Sequence, residues 1–283
     1  MDHHYVVTNG VRLHVVQAGP PDGALVILLH GFPEFWFGWR QQIPALAAAG
    51  FRVWAPDQRG YNLSAKPRGL AAYDLDKLAG DVLGLIDAAG RQRAAVVGHD
   101  WGGFVAWWLA AHAPRRLSHL VILNAPHGAA MARHLRRNPA QWRRSWYALG
   151  FQLPWLPELV SRWRNWRLLV AGLRASSHPG TFGESALAHY RQAWSRPGAY
   201  TAMLNWYRAV FRRPARLGAL PSITVPTLLI WGAQEQFFVP ELAPKSLAHC
   251  PAGRLVMVEE ATHWVQHEAA ERVNALMASF LYD

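Results

Sequence analysis

Short, almost unbroken apolar runs alternate with longer stretches of helical period along the first half of the chain. Leu25 to Leu29, Phe51 to Ala55, Ala94 to Val97 and Leu120 to Leu123 lack the polar alternation of a half-exposed strand. They read as strands buried on both faces of a parallel sheet. Leu75 to Ala89 has the spacing of a helix, and so has Phe104 to Ala113, which stops before Pro114. An earlier strand, Val11 to Gln17, follows a turn signalled by Asn9-Gly10. Strands alternating with helices predict an α/β protein with a mostly parallel, doubly wound sheet.

The alternation stops near Pro126. From there to about Leu217 the pattern is helical, broken by prolines at 139, 154, 157, 179 and 197. It resumes with Thr227 to Trp231, then Arg254 to Val258, then a last helix from about Glu268 to Leu281. The expected organisation is a core of residues 1–127 and 218–283 with an inserted helical lid, or cap, at 128–217. Such an insertion lies over the carboxyl ends of the strands, where open parallel sheets bind ligands.

Composition narrows the class. With 51% hydrophobic and 17% charged residues over 283 positions, the chain can bury a large core and is not of disordered type. Cys250 is the single cysteine, which excludes an internal disulfide and fits a reducing compartment. Met1 to Val7 has no charged segment leading into a hydrophobic one, and the apolar run Ala24 to Leu29 is far too short to span a bilayer. The expectation is a cytoplasmic protein with no integral membrane span. Monomer and homodimer both stay open.

Charge is unevenly placed. The net +11 resolves into +13 for residues 128–217, with fifteen arginines against Glu158 and Glu184, and −2 for the remainder. The same segment holds seven of the fifteen tryptophans. Basic charge mixed with aromatics fits nucleic acid, an anionic membrane surface or acidic substrates. Since 26 of the 29 basic residues are Arg throughout the chain, the reading preferred here is an arginine-rich solvated face over an aromatic-lined pocket, with no nucleic acid partner.

Candidate chemistry centres on Gly98-His99-Asp100-Trp101-Gly102-Gly103, between a strand-like run and the helix beginning near Phe104. Glycines at 98 and 102, two residues to either side of Asp100, suit a tight turn in which strand and helix approach closely. An Asp there could simply cap the helix. The spacing, however, resembles the nucleophile elbow of the α/β-hydrolases, written G-x-S-x-G, with Asp in place of Ser. A carboxylate is a poor nucleophile toward esters and amides, but it can displace a leaving group at saturated carbon. In that fold an acid and then a histidine follow in chain order. Glu235, in a loop after Thr227 to Trp231, and His263, between the last strand and the last helix, take those places. Asn124, at the alternative acid position, cannot serve as the acid. His30-Gly31-Phe32-Pro33-Glu34 closes another strand, and the backbone N–H groups of Phe32 and Trp101 would form an oxyanion hole. His30 reads as a hydrogen-bonding residue rather than a catalyst, and Glu34 as a structural residue near the pocket mouth. Asp57-Gln58-Arg59 reads as a turn with a structural ion pair.

Together with Asp57-Gln58-Arg59-Gly60-Tyr61-Asn62-Leu63-Ser64 and His263-Trp264-Val265-Gln266, these stretches resemble the epoxide hydrolases of the α/β-hydrolase fold, over nearly the whole chain from Val11 onward. The resemblance implies two lid tyrosines that hydrogen-bond the epoxide oxygen. The stretches Ser145 to Pro154 and Leu204 to Arg208 place them at Tyr147 and Tyr207. It implies Asp100, His263, Glu235, Tyr147 and Tyr207 as catalytic residues, and Phe32, Pro33, Trp101, Trp146, Trp206 and Trp264 as the substrate-binding set. A small-molecule epoxide and water are the implied reactants, with no cofactor and no metal. Glu235 departs from the more usual Asp. Two other readings share the motif. A haloalkane or haloacetate dehalogenase would use the same Asp, but Phe32 stands where the haloalkane type carries a halide-holding Asn, and arginines of the haloacetate type are missing after Asp100. A non-catalytic ligand-binding protein on this fold is the third reading.

Overall fold

The computed structural model describes residues 1–282, without the side chains at positions 214 and 215. Eight strands form one sheet: β1 (Asp2–Thr8), β2 (Val11–Ala18), β3 (Leu25–Leu29), β4 (Arg52–Pro56), β5 (Ala94–His99), β6 (Leu117–Leu123), β7 (Thr227–Gly232) and β8 (Gly253–Val258). Their spatial order is β1-β2-β4-β3-β5-β6-β7-β8. The pairs β1/β2 and β2/β4 are antiparallel, and every other pair is parallel.

Burial on both faces explains the unbroken apolar runs. Ile27 and Leu29 point into one core cluster, with Val96, Ile122 and Leu229. Val26 and Leu28 point into the other, with Val97, Val121 and Leu228. The alternation is the strand's period of two, with apolar residues required at each step. Helix α1 (Gln42–Ala48) covers the second face, while α2 (Leu75–Ala88) and α3 (Trp101–His112) cover the first. Trp107 of α3 is fully buried and donates its Nε1–H to the Ala125 carbonyl at 3.1 Å, so its one polar atom is satisfied.

Strand β1 departs from expectation. It is mostly exposed and opens Asp2-His3-His4, so no apolar face announces it. It exists because Asn9 and Gly10, with φ of 47° and 75°, close a two-residue hairpin that pairs Thr8 with Val11.

Between β6 and β7 the chain makes only helices: α4 (Gly128–Arg137), α5 (Pro139–Gly150), α6 (Leu156–Ala175), α7 (Glu184–Trp194), α8 (Ala199–Arg212) and α9 (Pro214–Gly218). Asn138 caps α5, its side chain accepting the Ala140 N–H at 2.9 Å with Pro139 in the first turn. Helix α6 is interrupted by non-helical backbone at Trp163–Trp166. The segment is fastened above the strand ends by hydrogen bonds to backbone carbonyls. Arg144 donates to Glu235 and Phe238, each at 2.7 Å, Trp194 to Pro33 at 2.6 Å, and Trp206 to Arg59 at 3.0 Å. Past β7 come α10 (Leu242–Leu247), α11 (Val265–Glu268) and α12 (Ala270–Tyr282), and Met277 and Leu281 of α12 join the second core cluster.

Candidate active site

Asp100 stands on a strained turn between β5 and α3, with φ 49° and ψ −118°. A non-glycine residue holds such a conformation only where its surroundings enforce it. Here two close approaches do so. A Cβ added to Gly102 would lie 2.0 Å from the Leu29 carbonyl oxygen, and one added to Gly31 would lie 2.4 Å from the Asp100 Cβ. The glycines therefore let β3, β5 and α3 converge under the carboxylate.

The two carboxylate oxygens of Asp100 are unequal. Oδ1 accepts the Phe32 N–H at 2.8 Å, and the Trp101 N–H also points to the carboxylate. Oδ2 faces His263 Nε2 at 3.9 Å, beyond hydrogen-bonding distance. Burial raises the Asp100 pKa, and the nearby histidines and two N–H groups offset this only in part.

His263 and Glu235 come together from the ends of β8 and β7. His263 Nδ1 meets Glu235 Oε2 at 2.7 Å. Asn124, after β6, donates from Nδ2 to the same oxygen at 2.6 Å, while its Oδ1 accepts the Gly232 N–H at 2.9 Å. The Phe237 N–H takes Oε1 at 2.6 Å. The longer Glu side chain is thus clamped at both oxygens. Burial works to raise the Glu235 pKa, but His263 and these donors outweigh it and the net shift is down. For His263 burial works downward, and the charges of Glu235 and Asp100 turn the net shift up. Asn124 carries no carboxylate and cannot be the acid, yet it anchors Glu235.

Aromatic rings enclose the group. Tyr207 of α8 stands edge-on to Trp101 at 4.9 Å and to Phe32 at 5.4 Å, with Tyr147 of α5 at 6.1 Å. Tyr147 also meets Phe237 at 5.8 Å, and Phe237 meets His263 at 4.8 Å. Burial raises the pKa of both phenols, and the Asp100 charge raises it further, so each stays protonated. Phe151 packs against Phe32, Tyr147 and Tyr207. Sequence reasoning passed over both Phe151 and Phe237, although Phe237 lies only two residues beyond Glu235.

The other expected binding residues divide. Phe32 and Trp101 adjoin Asp100. Pro33 is buried and offers its carbonyl to Trp194. Trp206 is fully buried behind Trp101, and Trp264 backs His263 with its Nε1–H on the Ser176 Oγ at 3.0 Å, so both are walls rather than lining. Trp146 requires correction. It is 69% exposed, because neighbouring residues of a helix point about 100° apart and Tyr147 takes the inward direction.

Glu34 also requires correction, being buried rather than at a mouth. It accepts hydrogen bonds from Tyr190 at 2.6 Å and Gln266 at 2.9 Å and meets His267 Nε2 at 2.7 Å. Burial would raise its pKa, but His267 and His99 outweigh this and hold it well below the carboxylate range. His99 Nε2 in turn bonds the His263 carbonyl at 2.9 Å, so this polar cluster backs the site histidine. His30 Nε2 accepts the Gln58 N–H at 3.0 Å. Arg59 pairs with Asp81 at 2.6 Å, and Asp57 with His14 at 2.7 Å, so the expected ion pair reaches outside its own turn. Among the described residues no cluster of three or more His, Cys, Asp or Glu side chains is placed to hold a metal ion.

Eight strands in this order, with a side chain raised on a strained turn after β5, define the α/β-hydrolase fold. The family described as alpha/beta hydrolase fold matches residues 24–270. The AB hydrolase superfamily protein YfhM of Bacillus subtilis is 47% identical over 278 residues, spanning 98% of this chain and 96% of its own. Epoxide hydrolase A of Mycobacterium tuberculosis is 35% identical, over 98% of this chain and 96% of its own. The crystal structure of the Bacillus megaterium epoxide hydrolase in complex with an inhibitor superposes with a TM-score of 0.89 at 31% identity, covering 99% of this chain and all of that one. The chain belongs to the α/β-hydrolase fold family, among the epoxide hydrolases.

Proposed function

We propose that the protein hydrolyses epoxides to vicinal diols in two steps at Asp100, beneath residues 128–217 acting as a lid. Oδ1 is engaged by the Phe32 N–H, and the Trp101 N–H also points to the carboxylate, while Oδ2, facing His263, is the oxygen that attacks a ring carbon. The carbon–oxygen bond breaks, and the departing oxygen takes a proton from Tyr147 or Tyr207, giving a hydroxyalkyl ester of Asp100. His263 Nε2 then removes a proton from water, and the resulting hydroxide adds to the ester carbonyl. The oxyanion forms on Oδ1, where each N–H is worth about 3 kcal/mol in comparable sites. Collapse releases the diol as the imidazolium returns its proton to the leaving oxygen, and the proton left on the Asp100 carboxyl passes to the tyrosinate, restoring both groups. Glu235 holds the imidazole tautomer and stabilises its charge. The 3.9 Å gap between His263 and Asp100 supports a histidine that serves water rather than the nucleophile.

The observation that carries the epoxide reading is the pair Tyr147 and Tyr207, kept protonated beside Asp100. A halide leaves without a proton, whereas an epoxide oxygen leaves as a strongly basic alkoxide. A single turnover in heavy-oxygen water, with enzyme in excess over styrene oxide, tests the pathway. The expected first diol carries only ordinary oxygen, and the label enters the Asp100 peptide. Label in that first diol would mean direct attack by water and would overturn the ester mechanism.

A further inference from the structure

The outward face of α5 and α6 carries an apolar surface that the site does not use. Among the described residues, ten of the fifteen exposed large apolar side chains lie between positions 142 and 168. On α5 they are Trp142, Trp146 and Leu149, spaced i, i+4, i+7 on one helix face. On the first turns of α6 they are Leu156, Leu159, Val160 and Trp163, spaced i, i+3, i+4, i+7. Exposed Leu153 and Trp155 fill the connecting turn. A helix of a globular protein directs such a stripe at the core. These two helices hold the core through other residues: α5 through Tyr147, Ala148 and Arg144, and α6 through Glu158, paired with Arg208 at 2.8 Å, and, from its interruption onward, through buried Trp166, Val170 and Leu173.

The charge around this surface has one sign. Arg143, Arg162, Arg164 and Arg167 are exposed, and Arg164 lies over the Trp163 ring at 4.5 Å. The only acids in residues 128–217, Glu158 and Glu184, are already held by Arg208 and by Arg174 and Arg191.

That combination selects among occupants. A second copy would press two arginine-rich faces of +13 segments together, a like-charge juxtaposition. A nucleic acid would meet the arginines and stack on the indoles, but it offers nothing to bury Leu156, Leu159 and Val160. An anionic bilayer meets both needs, since tryptophan and leucine enter the boundary between headgroups and acyl chains while arginines reach lipid phosphates. Among the described residues no helix is long and apolar enough to cross a membrane, so the contact is peripheral. We propose that α5, its following turn and the first turns of α6 dock the protein on an anionic lipid surface. The opposite face of α5 carries Tyr147, so docking sets the roof of the site at the interface where apolar substrates concentrate. Docking needs none of the chemistry assigned to Asp100, and the two stand or fall separately.

Co-sedimentation with vesicles of phosphatidylcholine, and with vesicles of equimolar phosphatidylcholine and phosphatidylglycerol, tests the proposal. The expected result is binding to the second kind only, weakened by salt. Each arginine near an anionic leaflet is worth roughly fivefold in partitioning, so Arg162→Glu with Arg167→Glu should lose roughly 25-fold or more. Trp155→Ser with Leu159→Ser should lose roughly tenfold through apolar contact alone. Turnover of a water-soluble epoxide by both variants should match the parent. Quenching of tryptophan emission by vesicles containing brominated phosphatidylcholine together with phosphatidylglycerol reads the contact without any substitution. The proposal is overturned if the parent protein ignores both vesicles, or if the variants sediment as the parent does. It is equally overturned if the protein binds duplex DNA or forms a dimer through this face while ignoring vesicles.

Discussion

At the strand ends a reacting group is fixed by a turn of one or two residues. In the helical segment above them it is fixed by rotation about a helix axis. Asp100 follows β5 directly, and its direction is set by glycines that admit no Cβ on either side. Tyr147 and Trp146 are adjacent on α5, yet one ring meets Tyr207 and Phe237 while the other is 69% exposed. The strand ends tolerate little displacement, since backbone N–H groups and the His263 ring meet carboxylates there at 2.6–2.8 Å. The tyrosines are held by ring contacts at 4.9–6.1 Å, which a small helix shift can re-form. A graded response to substitution follows, steep below and shallower above.

The steepest effect is expected at His263. On the proposed pathway, His263→Gln removes the base for ester hydrolysis and leaves alkylation intact. Turnover should fall by roughly 10²–10⁴-fold. Mixing the variant with an epoxide should give intact protein heavier by the substrate mass, with the adduct on the Asp100 peptide. Product release at the parental rate would remove His263 from the second step.

Above the strand ends, Tyr147→Phe and Tyr207→Phe should each slow ring opening by about 1–3 kcal/mol, with the double variant slower than either. The partial rescue of one phenol by the other is the signature of the looser region. Single-turnover alkylation rates check it. A double variant that alkylates at the parental rate would make both residues packing groups only.

Asn124→Ala separates anchoring from catalysis at the strand ends. It strips a donor from Glu235 Oε2 and leaves the buried Gly232 N–H without its partner. Stability should fall by about 1–3 kcal/mol, read by urea denaturation. Ester hydrolysis should slow while ester formation holds, because a loosened Glu235 orients His263 less well. Equal slowing of both steps would instead mean a general loss of the fold.

The pH dependence has a sign that the strand-end geometry fixes. In the free protein the Glu235 and Asp100 charges hold His263 above its ordinary pKa against burial. If Asp100 is alkylated as proposed, its charge is lost and the His263 pKa should fall in the ester. The base works when neutral, so ester decay should rise with pH through this lower value, below the one His263 shows in the free protein. An NMR titration of the His263 ring set beside single-turnover decay rates reads the difference. Coincident values would mean that Asp100 does not act on His263.

The same contrast decides what the sequence discloses. Strand-end positions are legible because the tight turn needs glycines at 98 and 102, the acid and base follow in order, and buried parallel strands read as unbroken apolar runs. The start of α3 is not. Trp101-Gly102-Gly103 is a poor helix former, and the helix begins there because the turn at Asp100 and its packing against β3 impose it. Glu235, Asn124 and Phe237 form one unit only after β6 and β7 are paired, so no local pattern joins them. Glu34 reads as a structural residue near a pocket mouth, and only folding brings His267, Gln266 and Tyr190 around it. In residues 128–217 tryptophans recur on several helix faces, and period alone does not tell which face turns inward.

Trp146→Ala measures that last ambiguity and should have the smallest effect of all. Its ring makes no aromatic contact among the described residues and is 69% exposed, so truncation leaves no cavity and no unpaired donor in the core. Alanine also favours the helix more than tryptophan does. The stability change should therefore stay within about 0.5 kcal/mol, and alkylation and hydrolysis of a water-soluble epoxide should match the parent. Tyr147→Phe, one residue away and a far milder change in volume, should cost more than this larger truncation. Thermal unfolding and single-turnover rates for the two variants side by side give the comparison directly. If Trp146→Ala slows ring opening as much as Tyr147→Phe does, α5 must rotate toward the site when substrate enters, and the division between its inner and outer faces would not survive turnover.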